Sequence, residues 1–203
     1  MSVNGAFLFF IMIQTFFAKK IGMTSKYTTS GAQVGSTVLQ VLPTRVLDMR
    51  TVERHKYNAV RLKVQDSRLK KKEFVKEVRM DETIEAGTEL NVAEIVQVGD
   101  KISVSGITKG HGFAGAVKRH GFRGGPRTHG QSDRERAPGS SGSTTTPGRV
   151  YKGKRRAGHM GVDKVMIKNL KVLEVDAEKK TVTISGSVPG ANRYTILTIK
   201  KLA

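Results

Sequence analysis

Three patterns in the sequence are of the kind that can do chemistry, and all three fall in one stretch. Gly110-His111-Gly112-Phe113-Ala114-Gly115 matches G-x-G-x-x-G, with Asp133 eighteen residues beyond Gly115. That arrangement holds a dinucleotide when the glycines open the helix of a βαβ unit, because the helix N-terminus then faces the pyrophosphate. The run that follows here, AVKRHGFRGGPRTHG, cannot form a long helix, so chance in a glycine-rich stretch explains the match. His111, His120 and His129 recur every nine residues, twice as His-Gly-Phe. Ligand sets usually show local spacings of two to four residues and an acceptor behind each ring. Neither is evident, and the neighbouring cations repel a metal, so no metal and no cofactor is expected. Ser140, Ser141 and Ser143 could be drawn with His129 and Asp133 as a hydrolase triad, but no G-x-S-x-G elbow surrounds any of these serines. They read as a polar turn. No catalytic residue and no small-molecule substrate is assigned.

What the same stretch does supply is charge on a glycine-rich backbone. The chain of 203 residues carries 36 Lys and Arg against 17 Asp and Glu, a net charge of +19. Residues 109–164 hold 13 of the 22 glycines, three of the five prolines, thirteen basic residues and three acids, a net +10. About half the charge therefore lies on about a quarter of the chain, on a segment with little capacity to form its own core. Such a segment buries too little apolar surface to offset its ordering entropy alone. Glycine lets a backbone approach another surface closely, and Arg and Lys supply phosphate contacts. A histidine can stack on a base or donate to a phosphate. Contact with nucleic acid is therefore expected through Lys109, His111, Lys118, Arg119, His120, Arg123, Arg127, His129, Arg134, Arg136, Arg149, Lys152, Lys154, Arg155, Arg156 and His159. Close approach is expected at Gly110, Gly112, Gly121, Gly124, Gly125, Gly139, Gly148, Gly153 and Gly158.

The charge argues against an acidic small-molecule enzyme, and the absence of Cys excludes disulfides and thiolate sites. With no Trp and 6% aromatics, an aromatic platform is not expected to be the main nucleic-acid device. A DNA-binding reading has the same charge in its favour but no helix-turn-helix, zinc-finger or basic-zipper pattern. Ala6 to Ile13 is an unbroken apolar run, too short for a span of about 20 residues and without the basic residues ahead of it that a signal peptide needs. It reads as a buried strand or the extension of one, or as residues ahead of a true start at Met12; no membrane partner is expected.

The elements that must position the basic segment are short strands. Ser36–Leu42, Arg45–Arg50, Tyr57–Val64 and Lys101–Thr108 precede it; Lys171–Val175 and Thr181–Ser185, joined by DAEKK as a hairpin, and Tyr194–Lys200 follow it. Ser67–Met80 fits either a helix or a strand, and no long amphipathic helix is seen. Short strands at regular spacing suggest a sandwich or a barrel. A structureless loop of 56 residues inside a compact domain is improbable, so the basic segment should be functional or disordered.

The runs TKGHGFAGAVKRHGFRGGPRTHG (108–130) and RAPGSSGSTTTPGRVYKGKRRAGHMG (136–161) closely resemble the signature of the large-subunit ribosomal protein L3 family in its bacterial form. So do TFFAKKIGMTSKY (15–27), YNAV (57–60) and VLEVDAEKKTVTISGSVPG (172–190). The resemblance runs from about Met12 to the C-terminus. It implies a mainly β protein, a closed translation-protein-type β-barrel (12–108 and 165–203) with a long Gly/Arg-rich internal extension (109–164). It further implies a structural constituent of the cytoplasmic ribosome, not an enzyme. Such a protein binds 23S ribosomal RNA near its 3′ end, neighbours other large-subunit proteins, helps nucleate assembly and extends an arm toward the peptidyl-transferase centre. Three departures stand out. Met12 aligns with the usual start, which makes residues 1–11 an N-terminal extension or a misassigned start. Ser143 stands where some relatives carry a methylated glutamine. The stretch near Asp66–Lys72 is shorter than in many relatives.

Overall fold

The structure is a computed structural model and describes residues 13–28, 31–66, 74–80, 84–131, 133–191 and 195–202. Residues 1–11, the first part of the ambiguous 67–80 segment and Tyr194 lie outside the described residues. The chain is mainly β, as expected. Its strands are β1 (Thr15–Tyr27), β2 (Gln33–Val41), β3 (Thr44–Arg50), β4 (Ala59–Val64), β5 (Phe74–Arg79), β6 (Lys101–Ile107), β7 (Phe113–Ala114), β8 (Gly158–His159), β9 (Lys164–Asp176), β10 (Thr181–Ser185) and β11 (Ile196–Lys201). Three helices of four or five residues complete the described elements: α1 (Val52–His55), α2 (Val92–Ile95) and α3 (Ala116–His120). The chain divides into two compact units, one built from residues up to 108 and from 164 onward, the other Lys109–Asp163.

In the first unit six strands hydrogen-bond in the order β1-β11-β6-β9-β10-β2, and β2 returns to β1, so the sheet closes as a barrel. Two 13-residue strands make the closure possible by serving two neighbours in turn. Thr15–Lys19 of β1 pair with β11, and from Ala18 onward the strand pairs with β2. β9 pairs with β6 through Lys171 and with β10 from Val172. Each of the two carries a break in register, at Lys20/Gly22 of β1 and opposite Ile102/Val104 of β6 on β9. Such bulges add the local twist and bend that a closed sheet requires.

Side-chain alternation along β1 explains why its first six residues are all buried. Successive side chains on a strand point to opposite faces. Phe16 and Ala18 join a core to which all six barrel strands contribute, with Leu39, Ile102, Val104, Val172, Ile184, Leu197 and Ile199, together with Ile95 and Val96 at the end of α2. Phe17 points the other way, into a second cluster with Ile13, Leu42, Val46, Val60, Leu62 and Val64. That cluster lies under the three-stranded sheet β3-β4-β5, and the Phe17 ring meets Phe74 edge-on at 5.9 Å. The next residue on the Phe17 side, Lys19, is buried with its ammonium against Asp66, the two side chains 9% and 6% exposed.

The ambiguous segment resolves, where it is described, as a strand. Phe74, Val78 and Met80 alternate toward the second cluster, a period of two and not of 3.6. Lys76 falls on the same side of the strand, and burial, with the Lys164 charge adding to it, lowers its pKa. The expected hairpin is present as β9 and β10, its turn held by the Asp176 carboxylate accepting from the Lys179 amide at 3.0 Å. Two strands are longer or earlier than the alternation suggested. β9 begins at Lys164, and β1 as a whole was not read as a strand.

Two outcomes follow from this packing. Phe17→Ala should cost about 3–5 kcal/mol, the usual penalty for emptying a buried aromatic site, read as a lower urea midpoint at unchanged m-value. Asp100 supplies the second. Burial pushes its carboxyl up, but hydrogen bonds from Lys201 at 2.7 Å and the Gln97 amide at 2.8 Å, with the Lys201 charge, outweigh this and hold it below its ordinary value of 3.8. A carboxylate depressed in the folded state stabilises above its unfolded pKa, and the contribution is lost as pH falls through the folded value. Asp100→Asn should therefore lower Tm at pH 7, and the gap from wild type should close as pH falls below the ordinary carboxylate range.

Candidate nucleic-acid interface

The second unit, Lys109–Asp163, is inserted between β6 and β9, whose ladder runs up to the pair Ile107↔Lys164. It has local structure but almost no core. Of its described residues only Ala114 and Ala116 are buried, while Phe113 is 80% exposed and Tyr151 61%. Main-chain hydrogen bonds hold it instead. β7 pairs with β8, and the pairing is continued by the His111 amide to the Met160 carbonyl at 2.8 Å and the Met160 amide to the Gly112 carbonyl at 2.9 Å. A second crossing is made by the Gly125 amide donating to the Glu135 carbonyl at 2.9 Å.

Glycine is required at these crossings by close approach of the chain to itself. A Cβ on Gly124 would collide with the Glu135 carbonyl oxygen, which is backbone, whereas one on Gly158 would meet the end of the Arg119 side chain and displace its guanidinium. Gly125 lies against the Arg134 carbonyl, and Gly110 is tight against Val162. Gly112, Gly121, Gly139, Gly148 and Gly153 serve differently, at backbone turns with φ between 67° and 82°. Gly161 also lies against the Lys109 carbonyl, a close approach that sequence reasoning missed.

The sixteen expected contact residues separate into two groups. Arg119 and His120, at the end of α3, turn inward: the Arg119 guanidinium donates to the Arg156 carbonyl at 2.9 Å, and His120 Nε2 lies 3.0 Å from the same oxygen. Arg127 pairs with Glu135 at 2.6 Å. The other ten Lys and Arg, namely Lys109, Lys118, Arg123, Arg134, Arg136, Arg149, Lys152, Lys154, Arg155 and Arg156, are exposed and make no side-chain ion pair or hydrogen bond among the described residues. His111, His129 and His159 are exposed, the last opposite Phe113 in the β7–β8 pair. The three regularly spaced histidines are not gathered: among the described residues no group of three or more His, Asp or Glu could hold a metal ion. The Ser140 hydroxyl closes a local turn, donating to the Gly142 carbonyl at 3.0 Å. The G-x-G-x-x-G run leads into only the five residues of α3.

The electrostatics follow from this arrangement. Twelve exposed Lys and Arg stand with three acids on 55 residues, and one of those acids is committed to Arg127. No described helix is long and apolar enough to cross a membrane. Sequence reasoning missed Phe113, Phe122 and Tyr151, aromatic residues in the basic unit without a core to bury them. The signal was present in the repeated His-Gly-Phe, since an aromatic residue on a coreless segment has no internal place to go.

The described residues thus form a β-barrel unit and a basic unit with almost no core of its own. Comparison with known proteins makes this specific. The family model for ribosomal protein L3 matches residues 19–195. The large ribosomal subunit protein uL3 of Dehalococcoides mccartyi is 44% identical over 204 residues, covering 94% of this chain and 98% of that protein. Its counterpart in Acetivibrio thermocellus is 39% identical over 191 residues, covering 85% and 90%. The chain belongs to the ribosomal protein L3 family. That family consists of structural ribosome components, not enzymes.

The crossing at Gly124 supplies a test of the local fold. Gly124→Ala combines a φ of 74° with a collision against backbone that cannot move aside, and the left-handed conformation alone costs about 1–2 kcal/mol. Limited proteolysis of the variant should cut residues 121–140 faster than in wild type, with the barrel's melting transition unchanged.

Proposed function

We propose that the chain is an RNA-binding structural protein of the large ribosomal subunit, cytoplasmic as bacterial ribosomes are, with 23S ribosomal RNA as its partner. The reading is carried by one observation: the Lys109–Asp163 unit holds ten exposed Lys and Arg without a side-chain partner among the described residues, and of the unit's own described residues two alanines alone are buried. A segment so built is completed by a polyanion around it, because apposed phosphates remove its self-repulsion and supply the contacts its own core lacks. The resemblance to the L3 family supports the finer statements. The six-stranded ring is a translation-protein-type barrel seated at the subunit surface among neighbouring ribosomal proteins. It binds near the 3′ end of the 23S RNA and helps nucleate assembly, while the basic arm extends toward the peptidyl-transferase centre.

Each phosphate neutralised on single-strand-like RNA contributes about −0.7 to the slope of log K against log salt. Six to ten contacts give a slope of about −4 to −7 on a 23S fragment from the 3′ region. Replacing both Arg155 and Arg156 with Ala should reduce that slope by about 1.4. A slope near zero, or equal affinity for duplex DNA of the same length, overturns the reading.

A further inference from the structure

One cavity in the basic unit is more than a charged surface. It has a volume of about 450 Å³ and is lined by Phe122, Ser141 and four cations, Arg136, Lys154, Arg155 and Arg156, with no acidic residue in its wall. Its walls come from parts of the sequence more than thirty residues apart, and they are fixed by contacts already described. The Arg156 carbonyl is held from the α3 side by Arg119 and approached by His120, which anchors the main chain that carries Arg155 and Arg156. The His120 ring also packs against Phe122, centroids 5.9 Å apart and tilted by 42°. Phe122 is half-buried, unlike the open Phe113 and Tyr151.

An aromatic ring in a recess walled by guanidinium and ammonium groups matches the chemistry of a single nucleotide. The base has a π-face that stacks on an aromatic ring or a guanidinium plane, and its phosphate takes charge-assisted hydrogen bonds. Two other cavities do not share this chemistry. A recess between Ser141 and Val150 has a single cation and no aromatic wall. A cavity in the barrel unit, beside Leu42 and Val182, includes Glu89 and Asp176, which oppose a phosphate.

We infer that this cavity receives one unstacked nucleotide of the RNA, its base against Phe122 and its phosphate against Arg136, Lys154, Arg155 and Arg156. The inference rests on the RNA-binding reading above and adds to it a site that selects extruded bases over paired ones. Anchoring of the Arg156 main chain keeps the recess formed before the base arrives, which lowers the cost of ordering it on binding.

The test uses the full-length protein and two hairpin RNAs of the same stem, one with a single-nucleotide bulge and one without. Wild type should bind the bulged hairpin more tightly. Phe122→Ala and Phe122→Leu should each lose about 5- to 150-fold in affinity for the bulged hairpin, the range for a lost base–aromatic stack. Both should keep the wild-type salt slope and the wild-type affinity for the unbulged stem. Phe122→Leu retains apolar volume without a π-face, so retention of the bulge preference by this variant assigns Phe122 to packing and overturns the inference. Equal, salt-dependent binding of both hairpins by wild type overturns this inference and leaves the RNA-binding reading standing. Absence of salt-dependent binding to either overturns both.

Discussion

β1 is held by two neighbours in turn, β11 over Thr15–Lys19 and β2 from Ala18 onward, and in its first half both faces are buried. One edge pairs with β11 and the other with β2, while Phe16 enters the barrel core and Phe17 the cluster beneath β3-β4-β5. β1 thus sends a fully buried phenylalanine into each of two hydrophobic cores, and the ring it helps to close has no open sheet edge. The rest of the first unit depends on this. Among the described residues the three-stranded sheet has no other core, and the buried Lys19–Asp66 pair lies on the face that the sheet covers. Taking one member of such a pair away leaves an uncompensated charge in the interior, so the pair restricts which partners β1 can accept more than it adds stability.

The basic unit follows another principle. Its stability comes from main-chain pairing and from glycines that let strands of the same segment touch, as Gly124 does at Glu135 and Gly158 at Arg119. Apolar burial is almost absent, so the cations are not needed to solvate a core and ten of them are left free for a partner. The barrel contributes a clamp. β6 and β9 stay paired up to Ile107 and Lys164, which holds the two ends of a 55-residue insertion at neighbouring-strand spacing of about 5 Å. The entropy of closing so long a loop is thereby met by the ladder and not by the loop itself.

Much of this was legible in the sequence, for physical reasons that differ by element. Short, Val- and Leu-rich, partly alternating runs announced β2 and β4, and the polar link DAEKK between two such runs announced β10. β1 did not, because a strand buried on both faces lacks the period of two, and Lys19 and Lys20 interrupt its apolar run although both are buried. The basic segment was legible from composition, but its internal pairing was not: β7 and β8 are two residues each and lie more than forty residues apart. For the same reason Arg119 and His120 looked like RNA contacts, although the helix end turns both toward Arg156. The glycines were read as sites of approach to another molecule, and those at 124, 125 and 158 approach their own chain.

The pairing of β1 with β11 has a temporal side. These are the first and last of the described strands, so a polypeptide growing from its N-terminus cannot complete the ring until Lys201 has been made. By then the whole basic segment has been made, since it ends at Asp163 and the strand that closes the barrel begins at Ile196. During synthesis the polycation is thus displayed on an unfinished scaffold, with β1 lacking one neighbour. Capture of the arm by an RNA at that stage would occur on a chain whose barrel is still open, which places folding of the protein and assembly of its complex in the same interval of time.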